Sequence, residues 1–577
     1  MYILGISAYY HDSAAALLKD GVIVAAIQEE RLTRIKHDSS FPIQAINAIL
    51  EIQKISIKDI EMVVYYEKPF WKFERILDTI TNHVPKGFIR FTKTIPLWIK
   101  HRLWISSEIK KKLKFKGEIL YSSHHDSHAA AGYFSSPFSD AAILTLDGVG
   151  ELATTTISVG EGNKINLMAA QNFPHSLGLL YSAFTQYCGF KVNSGEYKLM
   201  GLAPYGKPIY KQKIYDYLII QYEDGSYSLN MKYFSYLEGR RMINRSFENI
   251  FGQASRKDSS TPTQFYKDVA ASIQEVLEEV VLKLVVQTKL ITKKNTIVFS
   301  GGVALNCKLN QKIVEAKIFD QHHFYPSPGD AGGAVGAAYL GWHAYLKNDF
   351  TPYNTSEVYL GNLHNPIESL DKMKVPYSII NDIEQVVDSL ANGKVIGWYN
   401  GKMEFGPRTL GNRSILADPR NAEMKDVLNE RIKLREGFRP FAPAILQEEA
   451  HNYFELHSAN YDTMMVTAVA RQGTKQLMPA VVHEDGTARI QIVSKESNFE
   501  FYNLLKAFYL KTGCPALINT SFNVRGEPIV DSVEDALRAF IYTDIDMIVF
   551  NSKYVVSKES DLSQIKQLIP KLTYDAD

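Results

Sequence analysis

Residues Tyr2 to Ser7 form a short apolar run that includes Gly5, and residues 13–18 are apolar again. Asp20-Gly21 then separates this second run from VIVAAIQEE, a strong hairpin signal. The pattern predicts strand, polar turn, strand, Asp-Gly, strand. The stretch AAILTLDGVGELATTTISVG (141–160) repeats that logic, with an apolar strand to Leu146, a turn through Asp147, Gly148 and Gly150, and a Thr-rich strand after it. Two such openings predict two related halves, although the repeat is weak residue by residue. Val269, Ile273, Val276, Leu277, Val280 and Leu284 recur at helical spacing, which predicts an amphipathic helix over 264–289. TIVFSGGVALNCKLN (296–310) reads as a buried strand, a Gly-Gly turn and a helix start. FYPSPGDAGGAVGAAYL (324–340) runs from a tight Pro/Gly turn into a small-residue helix. Alternation of this kind predicts an α/β fold. Residues 346–357 are polar and aperiodic, and are expected to link a region over 1–345 to a second α/β region over 358–577. The second region contains the strand candidates VIGWYNG (395–401) and PALINTSFN (515–523).

Composition narrows the classes. The chain of 577 residues is 45% hydrophobic and 22% charged, enough for large cores. Its net charge of +1 argues against a protein built to coat nucleic acid or an anionic membrane. Cys188, Cys307 and Cys514 are far apart and make no CxxC pair, so neither a disulfide framework nor a thiolate zinc site is expected. The start of the chain lacks the charge pattern of a signal peptide, and no run approaches ~18 apolar residues. A cytoplasmic location is the expectation.

Three groups of residues offer chemistry. In SSHHDSHAAAGYF (122–134), His124 and His128 are four apart and share one helix face, a common arrangement for a bound metal. Such pairs also occur as ordinary surface or core histidines, and His125 is an alternative partner. Nearby carboxylates are Asp147, Glu151 and Asp330, the last in the glycine turn SPGDAGG. Two histidines and a carboxylate suit iron or zinc before magnesium. The second group is the turns GVG (148–150), SGGVA (300–304) and GDAGGAVG (329–336), each either a plain tight turn or part of a nucleotide cradle. The third is Arg408, Arg413, Arg420, Lys433, Arg435, Arg439, Arg489 and Arg525, set among Gly, Pro, Asn and Ser as a polyanion site requires, with ordinary surface ion pairs as the alternative. Residues 86–117 are basic and aromatic, which reads as a solvated helical insertion or as an acceptor or partner surface.

These motifs occur in order along nearly the whole chain: GISAYYHDSAAAL (5–17), EERLTRIKH (29–37), HHDSHAA (124–130), LDGVGE (146–151), GEYKLMGLAPYG (195–206), SGGVALNCKLN (300–310), GDAGGAVGAA (329–338), EFGPRTLGNRSILADPR (404–420), REGFRPFAPA (435–444) and NTSFNVRGEPIV (519–530). The chain resembles the O-carbamoyltransferases that act on nodulation factors, aminoglycosides, cephems and other natural products. The resemblance implies an actin/sugar-kinase-like, two-lobed N-terminal domain similar to the tRNA threonylcarbamoyl transferase, and a YrdC-like α/β C-terminal domain. It implies that carbamoyl phosphate and ATP, with Mg(2+), form carbamoyl-adenylate in the second domain. An Fe(2+) site, or a site for another divalent transition metal, then serves transfer to an acceptor hydroxyl in the first. Residue by residue, it implies His124, His128 and Asp330 as metal ligands and His11 as the base beside the acceptor. It implies Asp147, Gly148, Gly301, Gly302 and Asn306 as adenylate loops, and Arg408, Lys433, Arg439, Arg489, Asn519 and Arg525 around carbamoyl phosphate and ATP. The expected partner is a small-molecule hydroxyl acceptor from sugar, antibiotic or other natural-product biosynthesis. A homodimer is left open, and neither membrane nor nucleic acid is expected. The competing readings are a sugar-kinase-like phosphotransferase, a nucleotide-gated scaffold and threonylcarbamoyl-type tRNA modification.

Overall fold

The computed structural model describes residues 1–577 except 87, 240, 258–259, 353–357 and 575–577. Residues 353–357 of the expected linker lie outside the described residues. The chain divides into two compact units. The first takes Met1–Ala26 and Ser39–Glu357; the second takes Val358–Ala576 together with Ile27–Asp38. The short segment 27–38 therefore departs from the expected division at 345/358, which assigned it to the N-terminal region.

The first unit contains two five-stranded sheets. One holds β1 (Tyr2–Ser7), β2 (Ala14–Lys19), β3 (Val22–Gln28), β4 (Ile60–Tyr65) and β5 (Glu118–Tyr121) in the order β3-β2-β1-β4-β5. After helix α1 (His124–Phe134), the other holds β6 (Asp140–Leu146), β7 (Ala153–Glu161) and β8 (Lys164–Asn172). Beyond the long helix α2 (Gln264–Thr292) come β9 (Thr296–Ser300), helix α3 (Cys307–Glu315) and β10 (Gln321–Phe324), giving the order β10-β9-β6-β7-β8. In each sheet the first strand is central, antiparallel to the second and parallel to the fourth. The two strand–turn–strand openings are thus the starts of two copies of one topology, as an actin-like duplication requires. Asp20 and Gly21 both have positive φ, the geometry a tight hairpin between twisted strands demands.

Helix α2 buries the predicted stripe: Val269, Ile273, Val276, Leu277, Val280 and Leu284 are all buried. Each half's fifth strand leads into a helix built of small residues, α1 in the first half and α4 (Asp330–Tyr339) in the second. These two helices pack closely because they lack bulk: a Cβ on Gly336 would sit 1.7 Å from the Ser127 carbonyl oxygen. The basic segment after Lys86 is helical over Phe88–Leu97, Trp98–Arg102 and Ile105–Leu113. Ile95, Trp98, Ile105 and Ile109 point inward, while Lys93, Lys100 and Lys110 to Lys112 are exposed.

The second unit is built on one mixed sheet of eight strands. These are β11 (Ser378–Ile379), β12 (Ile396–Tyr399), β13 (Arg413–Ala417), β14 (Ala442–Leu446), β15 (Gln491–Val493), β16 (Ala516–Ser521), β17 (Met547–Phe550) and β18 (Tyr554–Ser557). Their order is β11-β18-β17-β12-β13-β16-β14-β15, so both predicted strands, β12 and β16, lie inside the sheet.

Candidate functional site

In the first unit the chemistry gathers where the two halves meet. His124 opens α1, whose N-terminus is capped by the Ser123 hydroxyl accepting from the Asp126 amide. Asp330 opens α4 at the equivalent place in the second half. Asp147 comes from the turn after β6 and His128 from one helical turn along α1. Their donor atoms all lie within 4.8 Å of one another, and all four residues are buried. The Nε2 atoms of His124 and His128 are 3.1 Å apart. Asp147 Oδ2 is 3.1 Å from His124 Nε2, and Asp330 Oδ1 is 3.8 Å from both Nε2 atoms. Donors around a tetrahedral dication with ~2.0–2.1 Å bonds stand about 3.3 Å apart, so this set has the span of a coordination shell.

The electrostatics agree with that span. Burial pushes the His124 imidazole down to about 3, despite its contact with Asp147, so the ring is neutral at pH 7. Burial also works to raise Asp147, but the hydrogen bond from His124 and the fields of His128 and His125 hold it well below its ordinary range. Asp330 is pushed up to about 6, chiefly by burial and then by Asp147, against the opposing effects of His11, His128 and Lys72. The Nδ1 atoms of His124 and His128 and the Oδ2 of Asp330 are buried without a hydrogen-bond partner. Two facing imidazole nitrogens and two carboxylates, one of them with an orphaned oxygen, make a donor set that a dication would complete.

Asp147, expected both as a carboxylate near the histidines and as part of an adenylate loop, faces the histidines. Its Oδ1 accepts from the Gly302 amide at 3.0 Å, so one carboxylate joins the glycine turn to the cluster. Gly301 holds φ +88°, and a Cβ there would meet the Leu146 carbonyl at 2.3 Å, which explains the Gly-Gly pair. Gly148 adjoins Asp147, and its carbonyl accepts from Ser176 Oγ at 2.7 Å. Asn306 has a structural use: its Oδ1 caps α3 at Leu309, and its amide pairs with Gln274.

His11 sits in the turn between β1 and β2, the counterpart of the Asp147 turn. Its Nδ1 is 2.9 Å from Asp12 Oδ2, and its ring packs on Tyr10. Burial would lower it, but Asp330, Asp12 and Asp147 outweigh that and raise it to about 9. Sequence reading also missed Glu67 and Lys72, a buried pair 2.5 Å apart, with Glu67 Oε2 4.0 Å from His124 Nδ1. No glycine turn or helical spacing marks either residue. Glu151 accepts from the His124 and Lys68 amides.

The second unit gathers cations. Lys433 is 3% exposed, and its Nζ donates to Ser521 O (2.6 Å), Asn523 Oδ1 (2.6 Å), Asn523 O (2.9 Å) and Ser521 Oγ (3.2 Å). Burial, then Arg435, Arg439 and Lys36, push it well below its ordinary value, with Glu527 opposing. Glu436 lies between Arg439 (3.5 Å) and Arg525 (3.8 Å). Asn519 donates to Gln491 Oε1 at 2.7 Å, while its own Oδ1 is buried without a partner. Arg408 and Arg489 are half-buried in loops of the same unit. Crowded cations around a desolvated lysine are relieved by a bound polyanion.

Residues 2–339 match the family model for the carbamoyltransferase N-terminus, and residues 387–558 match that for the carbamoyltransferase C-terminus. The chain belongs to the carbamoyltransferase family. It is an enzyme of the transferase class. An uncharacterized Synechocystis protein, sll1178, is 46% identical over 96% of this chain and 97% of its own. Nodulation protein NolNO of Sinorhizobium fredii is 37% identical over 96% of this chain and 80% of its own. Nodulation protein NolO of Bradyrhizobium diazoefficiens is 35% identical over 78% of this chain and 81% of its own. Both regions of this carbamoyltransferase that carry clustered site residues fall within the matched spans. Among the described residues, no helix is long and apolar enough to cross a membrane.

Proposed function

We propose that this carbamoyltransferase is ATP-dependent and transfers its carbamoyl group to the hydroxyl of a sugar or natural-product acceptor in two half-reactions. In the second unit, water cleaves carbamoyl phosphate to carbamate and phosphate, and a carbamate oxygen then bonds to the α-phosphorus of ATP as the bond to pyrophosphate breaks, giving carbamoyl-adenylate. Arg439 and Arg525 neutralise the crowded phosphates beside the buried Lys433, and the orphaned Asn519 Oδ1 offers an acceptor to an N–H such as the carbamoyl amide. In the first unit, the acceptor oxygen bonds to the carbamoyl carbon as the bond to AMP breaks, and the alcohol proton passes to a base. The observation that carries this reading is the buried set His124, His128, Asp147 and Asp330. A divalent transition metal held there, iron first, supplies a Lewis acid for the carbamoyl carbonyl. Asp147 joins that set to the glycine turn expected beside the adenylate. His11 accepts the alcohol proton only when the carboxylate charge facing it is offset, because those carboxylates are what keep it protonated.

The test is an assay of purified protein with labelled carbamoyl phosphate, Mg(2+)-ATP and a panel of hydroxylated acceptors. Pyrophosphate release that requires carbamoyl phosphate, followed by label in an acceptor, is the expected result. Phosphate transfer to the acceptor instead would establish the kinase reading, and no dependence on carbamoyl phosphate would refute ours.

A further inference from the structure

Apart from the field of Lys36 at Lys433, the motif EERLTRIKH has no part in the chemistry described so far, yet Ile27–Asp38 folds with the second unit. Arg31 is 3% exposed, and its Nη2 donates to the Gly406 carbonyl at 2.7 Å. Gly406 lies two residues before Arg408. Arg34 closes the short helix in a left-handed conformation, φ +60°. Its guanidinium donates to Ile529 O (2.7 Å), Pro528 O (2.8 Å) and Glu527 Oε1 (3.0 Å), and its Nε lies 3.4 Å from Asp535 Oδ1. The contacts continue inward. Glu527 Oε2 accepts from the Val524 amide, Glu527 O accepts from Asn523 Nδ2 at 2.6 Å, and Asn523 Oδ1 accepts from Lys433 Nζ. Lys36, on the same segment, adds its field at Lys433.

We propose that Arg31 and Arg34 are positioning residues for the anion site of the second unit, holding the loops that carry Arg408 and Arg525 at the separation carbamoyl phosphate and ATP require. Arg34 acts through Glu527 and Asn523 on Lys433; Arg31 acts through the Gly406 carbonyl on the Arg408 loop. The fork geometry is essential. A planar guanidinium reaches two carbonyls and a carboxylate at fixed angles, whereas an ammonium is a point charge that cannot reproduce that set. The proposal rests on the reading of the second unit as the adenylate-forming site.

The experiment uses the full chain with Arg34→Lys, Arg31→Lys, Glu527→Gln and the Arg34→Lys/Glu527→Gln double variant. Four quantities are read: affinity for inorganic pyrophosphate by calorimetry, kcat and KM for carbamoyl-phosphate-dependent pyrophosphate release, transfer from supplied carbamoyl-adenylate, and the urea midpoint. In Arg34→Lys, weaker pyrophosphate binding, a raised KM and a kcat lower by on the order of 10²-fold are expected, since small misplacements cost about that much. Transfer from supplied adenylate stays at the wild-type rate. The double variant falls no further than the worse single variant, because both substitutions break one chain of contacts. Unchanged affinity and KM, additive losses in the double variant, or equal loss of both half-reactions would each overturn the proposal. Arg31→Lys, which loses one carbonyl contact, decides the matter by the same readouts if Arg34→Lys does not fold. If wild type shows no pyrophosphate release dependent on carbamoyl phosphate, the functional reading fails, while pyrophosphate affinity still reports on the arginines.

Discussion

His124, His128 and Asp330 show what a sequence reveals about a site: residue types and a helical spacing that point to one donor set. Asp147 shows the limit. Its neighbours in the chain suggest a glycine loop, and only the return of β6 beside α1 brings its Oδ2 to His124. The double variant His124→Ala/His128→Ala is therefore expected to lose bound metal, measured by elemental analysis after iron loading. Asp147→Asn should weaken metal binding by at least the roughly 10–100-fold that loss of an outer partner costs. His125→Ala should retain metal, because His125 Nδ1 is engaged with Thr156 and the ring stands outside the donor set. His11 adds a pH signature. Asp330, Asp12 and Asp147 raise its imidazole to about 9 against an ordinary 6.5, so its charged ring stabilises the fold around pH 6.5, where these carboxylates still carry charge. That contribution is lost as pH rises through about 9. Urea unfolding of chelated wild type and His11→Asn should show a stability gap near pH 6 that closes above pH 9, and a gap that does not change with pH would contradict the electrostatic assignment.

Elements explain why these residues converge. Strand–turn–strand patterning is local, so both openings and the α2 stripe were legible before any tertiary contact was known. Sorting of elements between units was not legible. Nothing in the periodicity of EERLTRIKH separates it from β3, and its place is decided by hydrogen bonds to residues some 500 positions away (Arg34 to Pro528 and Ile529). The α1–α4 contact lies between these cases. Small residues in both helices were evident, but not that the two helices face each other. Each carries a donor at its N-terminal end, so their spacing sets the donor geometry. Gly336→Ala would place a methyl 1.7 Å from the Ser127 carbonyl oxygen, and the backbones must separate to admit it. Overpacking of this kind costs typically ~1–3 kcal/mol. The variant is expected to lower the thermal midpoint and, more tellingly, to weaken metal binding although no ligand has changed. Full metal affinity in a destabilised Gly336→Ala protein would mean that the helix spacing does not set the site.

At the scale of the whole molecule, the two clusters share no residue. The donor set belongs to one unit and the cation set to the other, each with its own sheets and core. Two half-reactions carried by separate residue sets should be separable by substitution. Arg439→Ala removes a guanidinium whose field is felt at Lys433 and which shares Glu436 with Arg525. Loss of one charge-assisted contact to a phosphate costs about 1.5–3 kcal/mol, roughly one to two powers of ten in rate, before any misplacement of reacting groups is added. Carbamoyl-adenylate formation by this variant should fall by at least that factor. Transfer from supplied carbamoyl-adenylate should proceed at the wild-type rate, because Arg439 lies in neither α1, α4 nor the Asp147 turn. The His124→Ala/His128→Ala protein should show the opposite pattern, releasing pyrophosphate in response to carbamoyl phosphate while failing to load the acceptor. A single-turnover experiment with all three proteins reads both steps, and since carbamoyl-adenylate hydrolyses in water it must be supplied fresh. If both variants lose both steps while keeping wild-type unfolding midpoints, the division of labour between the units is wrong, and one site must carry the whole reaction.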